Sequence, residues 1–347
     1  MRAAVAAGGR LVVESVPDPS PRAGQVLVAP LVTGICGSDL RSIEATATSD
    51  PSPDGPLIPG HEFCAAVVAH GPSADRRTVD AWPVGSRVCA NPFTGNGWEL
   101  VGATPARGGA LAELMVLDVA QLLRVPDGLD PERAALTEPL AVATHAVNTA
   151  TDRSPDGPFV VVGCGPIGLG ILVVLRAHGR GPIVASDPSP ERRSLAALLG
   201  ADLVVDPRTQ SPFDALAELG FETQLASHRL EHRPSRLVVF ECVGRPGMLQ
   251  HLLEQAPTHT HVVVAGVSHE PETVIPVLAV VKEVAVDFVL AYRPDELAEA
   301  MAGLADATIA ADALVTATFD LTNAQDAVEA LRRAEQGKVL ITAAGSA

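Results

Sequence analysis

The segment Phe159–His178 constrains the fold of this chain more than any other. Four consecutive apolar residues, Phe159–Val162, run into Gly163-Cys164-Gly165-Pro166-Ile167-Gly168, and an apolar stretch, Ile167–His178, follows. A buried strand, a glycine turn and a helix in immediate succession form the dinucleotide fingerprint in its proper context. The first glycine permits the tight turn, the second lets backbone approach a pyrophosphate, and the third allows helix to pack on strand. The pyrophosphate then rests on the helix N-terminus, where unpaired N–H groups and the dipole favour anions. Gly163, Gly165, Pro166, Ile167 and Gly168 are therefore expected to bind cofactor. Asp187 closes the next strand, where its carboxylate can accept from both adenosine ribose hydroxyls and repel a 2′-phosphate. NAD(H) is expected over NADP(H). Arg192 is a further cofactor-binding candidate, and with Arg193 it lies close enough to soften that preference.

Around this unit the pattern is that of a parallel sheet covered on both faces. Short apolar strands at Ile183–Ser186, Leu203–Val205, Leu237–Cys242, His261–Val267 and Val284–Leu290 alternate with helical stretches, one of them through Ser194–Leu199. A polar crossover over residues 207–236 carries a helix near Asp214–Leu219. The first third reads differently, as β segments (Leu11–Val16, Gln25–Val32, Ala65–Ala69, Leu111–Leu117) broken by Gly and Pro. The end reads as helices at Pro294–Leu304 and Ala324–Ala334 and a strand at Lys338–Thr342. At 347 residues the chain suits two domains. The expected division is a β-rich catalytic domain of residues 1–138 and 292–347, with a doubly wound α/β domain of residues 139–291 inserted into it.

The β-rich part carries the second signal. Cys36-Gly37-Ser38-Asp39 and Gly60-His61-Glu62 flank a polar, proline-containing loop at 44–59, and Glu138 follows in Thr137-Glu138-Pro139-Leu140. Thiolate, imidazole and carboxylate are the ligand types of a zinc site with one position left open. A Lewis-acid metal and a nicotinamide cofactor in one chain point to hydride transfer to or from a carbonyl.

Taken together, Gly34-Ile35-Cys36-Gly37-Ser38-Asp39, Gly60-His61-Glu62, Thr137–Ala141, the glycine run and Gly337–Leu340 resemble the medium-chain, zinc-dependent alcohol and polyol dehydrogenases. The resemblance spans essentially the whole chain. It is nearest to the sorbitol, butanediol and threonine dehydrogenase branch, because Glu138 stands where alcohol dehydrogenases place a second cysteine ligand. It implies a Rossmann domain inserted in a GroES-like catalytic domain. It implies Cys36 and His61 as direct zinc ligands, Glu62 beside the metal, and Glu138 as third ligand, direct or through water. Ser38 becomes the hydroxyl that bonds the substrate oxygen and passes its proton outward. Asp39 becomes the partner that orients a ligand imidazole. Lys338 is expected to reach the cofactor pyrophosphate or to be a surface lysine.

Two departures from the family pattern carry information. Many relatives hold a structural zinc in a four-cysteine lobe, whereas residues 91–109 contain no cysteine; one catalytic zinc and no structural zinc are expected. The histidine that commonly ends the proton relay is Arg41 in this chain, and arginine stays protonated at any working pH. Ser38 then hands its proton to water or cofactor ribose, or Arg41 binds an anionic substrate or the cofactor, or Arg41 is simple surface charge. Two other functions share the fold: a zinc-free reductase of quinones or activated double bonds, and a cofactor binder that has lost catalysis. The metal-ligand set opposes the first, while Arg41 is the one feature that favours the second.

Composition narrows the partners. A net charge of −16 with only short, dispersed arginine pairs opposes nucleic acid and anionic membrane. No apolar run approaches the roughly 20 residues that span a bilayer. Five scattered cysteines without a CxxC fit a reducing cytoplasm, as does a start without a secretory apolar region. The expected partners are a small alcohol or ketone and, from the resemblance, a second copy of the chain in a homodimer or homotetramer paired along the edge strand Val284–Leu290.

Overall fold

A computed structural model describes residues 1–50, 52–93, 99–154, 156–221, 237–333 and 335–343. Much of the polar crossover at 207–236 lies outside the described residues; its expected helix is present as Pro212–Glu218.

Every residue of the strands Phe159–Val162, Ile183–Ser186, Val238–Glu241 and His261–Val264 is buried. That is why these strands read as unbroken apolar runs, with no alternation of polar residues. With Leu203–Val205 and Ala285–Phe288 at the edges they form a six-stranded, wholly parallel sheet. One face packs Val161, Ala185, Phe240 and Val263 under the helix Pro166–Ala177. The other packs Val160, Val184, Val239 and Val262 against Phe213, Leu216 and Leu252. Strand order reverses between Phe159–Val162 and Val238–Glu241. In such sheets the ligand crevice opens beyond the strand C-termini at that point, and there the glycine run begins.

The second sheet is mostly antiparallel. Val315–Asp320, Lys338–Thr342, Gln25–Gly34, Glu62–His70, Arg87–Ala90 and Leu122–Arg124 lie side by side, and Met115–Asp118 also pairs with Gln25–Gly34. Gln25–Gly34 is its spine: Gly34 stands opposite Glu62 on one side and Leu340 on the other. The returning chain end is thereby brought against the metal-ligand motifs.

Two expectations change. Of the strand expected at Leu111–Leu117, only Met115–Asp118 joins the sheet. The N–H groups of Ala110 and Leu111 are spent on the carbonyls of Gly60 and Pro59 instead. The long helix Thr137–Arg153 was not expected; Thr, Val, His and Asn dilute the helical signal of its alanines, and Pro139 looks like a breaker, yet it stands in the first turn, where its missing N–H costs nothing. This helix runs across the expected boundary at 138/139 and packs on Pro166–Ala177 and Pro294–Ala305.

Among the described residues the parallel sheet ends at Ala285–Phe288, which pairs on one side only. Phe288 is 73% exposed, and Val280 and Val281 are exposed on the neighbouring helix Pro276–Lys282. Among the described residues no helix is long and apolar enough to cross a membrane.

Candidate metal and cofactor centre

Three elements bring the ligand candidates together. Cys36 is the N-cap of helix Gly37–Ala45, and Asp39 is its third residue. The Asp39 Oδ2 accepts from the Cys36 N–H at 2.9 Å, the reach-back by which an acidic residue satisfies an orphan donor at a helix start. Its Oδ1 accepts from the Gly60 N–H at 3.2 Å and lies 3.4 Å from His61 Nδ1. One buried carboxylate therefore ties both motifs together, leaving His61 Nε2 as the nitrogen free for a metal. Ligand atoms of Cys36, His61 and Glu62 lie within 4.8 Å of one another. Thiolate, imidazole and carboxylate at that separation fit Zn²⁺ by donor chemistry.

The electrostatics follow from the burial. Desolvation pushes the Asp39 carboxyl up, but His61 and the two backbone donors outweigh it and hold Asp39 below its ordinary value. For His61, burial opposes the charged ring and Asp39 overcomes it, so the imidazole holds its proton more tightly than usual. Glu62 and Lys338 are ion-paired, and both are almost fully buried. Burial would pull the lysine down; Glu62 and then Cys36 reverse that and raise it. Its ammonium also donates to the Ile35 carbonyl at 3.1 Å. A Cβ on Gly34 would stand 2.4 Å from the Glu62 Oε2, so the first glycine of that motif makes room for the pair.

Glu138 sits in the first turn of Thr137–Arg153, outside the three-ligand cluster but within its field. Burial first, then Glu62, raise its carboxyl to about 7, against the pull of His61 and Lys338. Tyr292 faces it, and burial together with Glu138 drives the phenol well above its ordinary range. Ser38 is half-buried two residues beyond Cys36, and Arg41 is exposed further along the same helix.

The cofactor candidates gather at the other sheet. A Cβ on Gly168 would lie 1.9 Å from the Gly163 carbonyl oxygen, so helix and strand meet there without space for a side chain. Asp187 accepts from the Cys164 N–H and the Ser189 N–H, each at 2.8 Å, which fixes the turn from within. Each carboxylate oxygen keeps lone-pair capacity for a ribose hydroxyl. Arg192 donates to the Gln336 carbonyl at 3.3 Å, and its guanidinium lies 4.0 Å from a Cβ built on Gly165. Arg193 is committed to the carbonyls of Asp187 and Pro188 and to Asp206. Lys338 is buried, not on the surface: its ammonium pairs with Glu62 at the metal-ligand cluster, and the residue also lines a small cavity with Pro166 of the glycine run.

Residues 22–127 match the alcohol dehydrogenase GroES-like domain, and residues 166–306 match the zinc-binding dehydrogenase domain. The chain is 30% identical over 322 residues to (R,R)-butanediol dehydrogenase of Bacillus subtilis strain 168, covering 88% of each. It belongs to the zinc-type medium-chain alcohol and polyol dehydrogenases. Within that family it is also 28% identical to the sorbitol dehydrogenase of the same organism, over 95% of this chain and 93% of that one. The crystal structure of 2R,3R-butanediol dehydrogenase from Bacillus subtilis superposes with a TM-score of 0.81, at 28% identity over 98% of this chain and 99% of the other.

Sequence reasoning missed two contributors to this dehydrogenase's centre. Tyr292, the only tyrosine in the chain, gave no signal because it lies far from every motif. The Glu62–Lys338 pair was concealed by the 276 positions that separate its members in sequence. Asp39 yields a direct prediction. Asp39→Asn removes the charge facing His61 and should weaken zinc affinity 10–100-fold, the usual effect of losing an outer partner of a ligand histidine. Competition against a chromophoric chelator measures it; unchanged affinity would remove Asp39 from the site.

Proposed function

We propose that this dehydrogenase oxidises a secondary alcohol or polyol with NAD, and reduces the matching ketone with NADH, using one zinc held by Cys36, His61 and a carboxylate of Glu62 or Glu138. The convergence of three different zinc donors, buried His61 and Glu62 with partly buried Cys36, carries the reading. The relatives matched over most of their lengths are named for a butanediol and for sorbitol, which supports a secondary hydroxyl as the reacting group.

Zinc would supply Lewis acidity, lowering the pKa of an alcohol or polarising a carbonyl. The remaining work belongs to the chain. Cys36, His61 and the carboxylate hold the ion, and Asp39 fixes the imidazole. Ser38, beside Cys36 on the helix, takes the substrate proton and passes it outward. Arg41 keeps its charge at every working pH and so is not the proton carrier; the proton leaves Ser38 for water or cofactor ribose. The glycine run and the N-terminus of Pro166–Ala177 seat the pyrophosphate, and Asp187 receives the adenosine ribose.

The deciding experiment is elemental analysis. About one zinc per chain, lost in Cys36→Ser, is expected; protein purified without chelators that holds none would overturn the zinc mechanism, and two per chain would contradict the reading of residues 91–109. Cofactor choice is a separate test. Because Asp187 repels a 2′-phosphate and Arg193 is already engaged, kcat/KM should favour NAD, and Asp187→Ala should narrow the preference. A native preference for NADP would remove the Asp187 argument. The exposed apolar residues beside the unpaired edge of Ala285–Phe288 support a homodimer joined there. Light scattering should give twice the chain mass, and Phe288→Glu should lower it; a native monomer would refute the dimer.

A further inference from the structure

We infer that the lobe Val101–Leu111 is a clamp that positions His61, with Gly102 and Gly109 as the residues that let it close. The inference rests on the proposed role of His61 as a zinc ligand.

His61 is the first residue after three peptide units whose carbonyls are all taken. The Gly109 N–H donates to the Ile58 carbonyl at 2.7 Å, Leu111 to Pro59 at 3.0 Å and Ala110 to Gly60 at 2.9 Å. From the opposite side the Gly60 N–H is held by Asp39. The clamp is itself tied down, because the buried Thr33 hydroxyl donates to the Ala110 carbonyl at 3.0 Å. A peptide bonded on both edges cannot rotate without losing several hydrogen bonds at once, each costly to leave unmade in a buried site.

The approach is too close for any side chain. A Cβ on Gly109 would stand 2.4 Å from the Pro59 carbonyl oxygen and 2.5 Å from that of Gly60. One on Gly102 would stand 2.8 Å and 2.9 Å from the Gly60 oxygen and nitrogen. Both glycines thus press on backbone, which cannot yield as a flexible side chain would. Gly60 itself has φ +104°, a conformation the clamp holds one residue before the imidazole. The lobe thereby fixes where the His61 side chain leaves the chain, and the metal site inherits that precision.

Gly109→Ala tests this by readouts other than turnover. Zinc loss to excess chelator should accelerate at least tenfold, and the visible d–d bands of the cobalt-substituted protein should shift. NADH affinity by fluorescence titration should stay within twofold, since its site lies on the other sheet. Gly24→Ala is the control: Gly24 also has a left-handed φ of +81° but open space around it, so this variant should lose thermal stability while keeping native zinc loss and cobalt bands. Thr33→Val, which removes only the Ala110 tether, should accelerate zinc loss in the same direction by a smaller factor, and it decides the matter if Gly109→Ala does not fold. Native zinc loss and native cobalt bands in the folded Gly109→Ala protein would overturn the clamp, as would equal effects in Gly24→Ala. Wild-type protein without zinc would overturn the functional reading instead, so the two failures are distinct.

Discussion

A single carboxylate organises this centre. Asp39 is buried, and burial of a charge is costly unless every lone pair finds a donor. It finds them in the Cys36 N–H, the Gly60 N–H and the His61 ring. Those partners come from a helix N-terminus and from a turn before a strand, two elements that no local force would hold in register. The desolvation of Asp39 therefore specifies a geometry: only an arrangement with both motifs in contact satisfies it. Thiol, imidazole and the adjacent Glu62 meet as a consequence.

The same economy explains the Glu62–Lys338 pair. A buried glutamate beside a thiol and an imidazole would otherwise sit as an uncompensated charge, and the chain end returns through the sheet to supply the counter-charge. The spine strand makes this possible, because Gly34 lies between the two side chains and offers no methyl to separate them. Tertiary structure, and not sequence proximity, assembled the pair.

What was legible in the sequence follows from the range of the interactions involved. The parallel sheet was readable because strands buried on both faces leave continuous apolar runs, and the glycine turn adds local chemistry that few other contexts need. Cys36, His61 and Asp39 were readable because each sits in a short motif. Lys338 was not, because its partner is fixed by strand pairing across the whole chain, and a buried lysine looks like a surface lysine on paper. The helix Thr137–Arg153 escaped because β-branched Thr and Val are scattered among its alanines, Pro139 looks like a breaker, and its stability comes from packing on two other helices. Leu111 opened a stretch that read as strand by its composition, but its N–H goes to the Pro59 carbonyl of a ligand loop and its carbonyl accepts from the Ala4 N–H, outside the sheet that Met115–Asp118 joins.

That long helix joins two structural frames. Cys36, His61 and Glu62 are borne by the antiparallel sheet and its flanking turns, whereas Glu138 rides at the head of Thr137–Arg153, which packs along the helix that begins at the glycine run. The same helix also touches Glu62–His70, so Glu138 stands at the seam of the two sheets, and a shift of either sheet would change its distance from the Cys36–His61–Glu62 cluster.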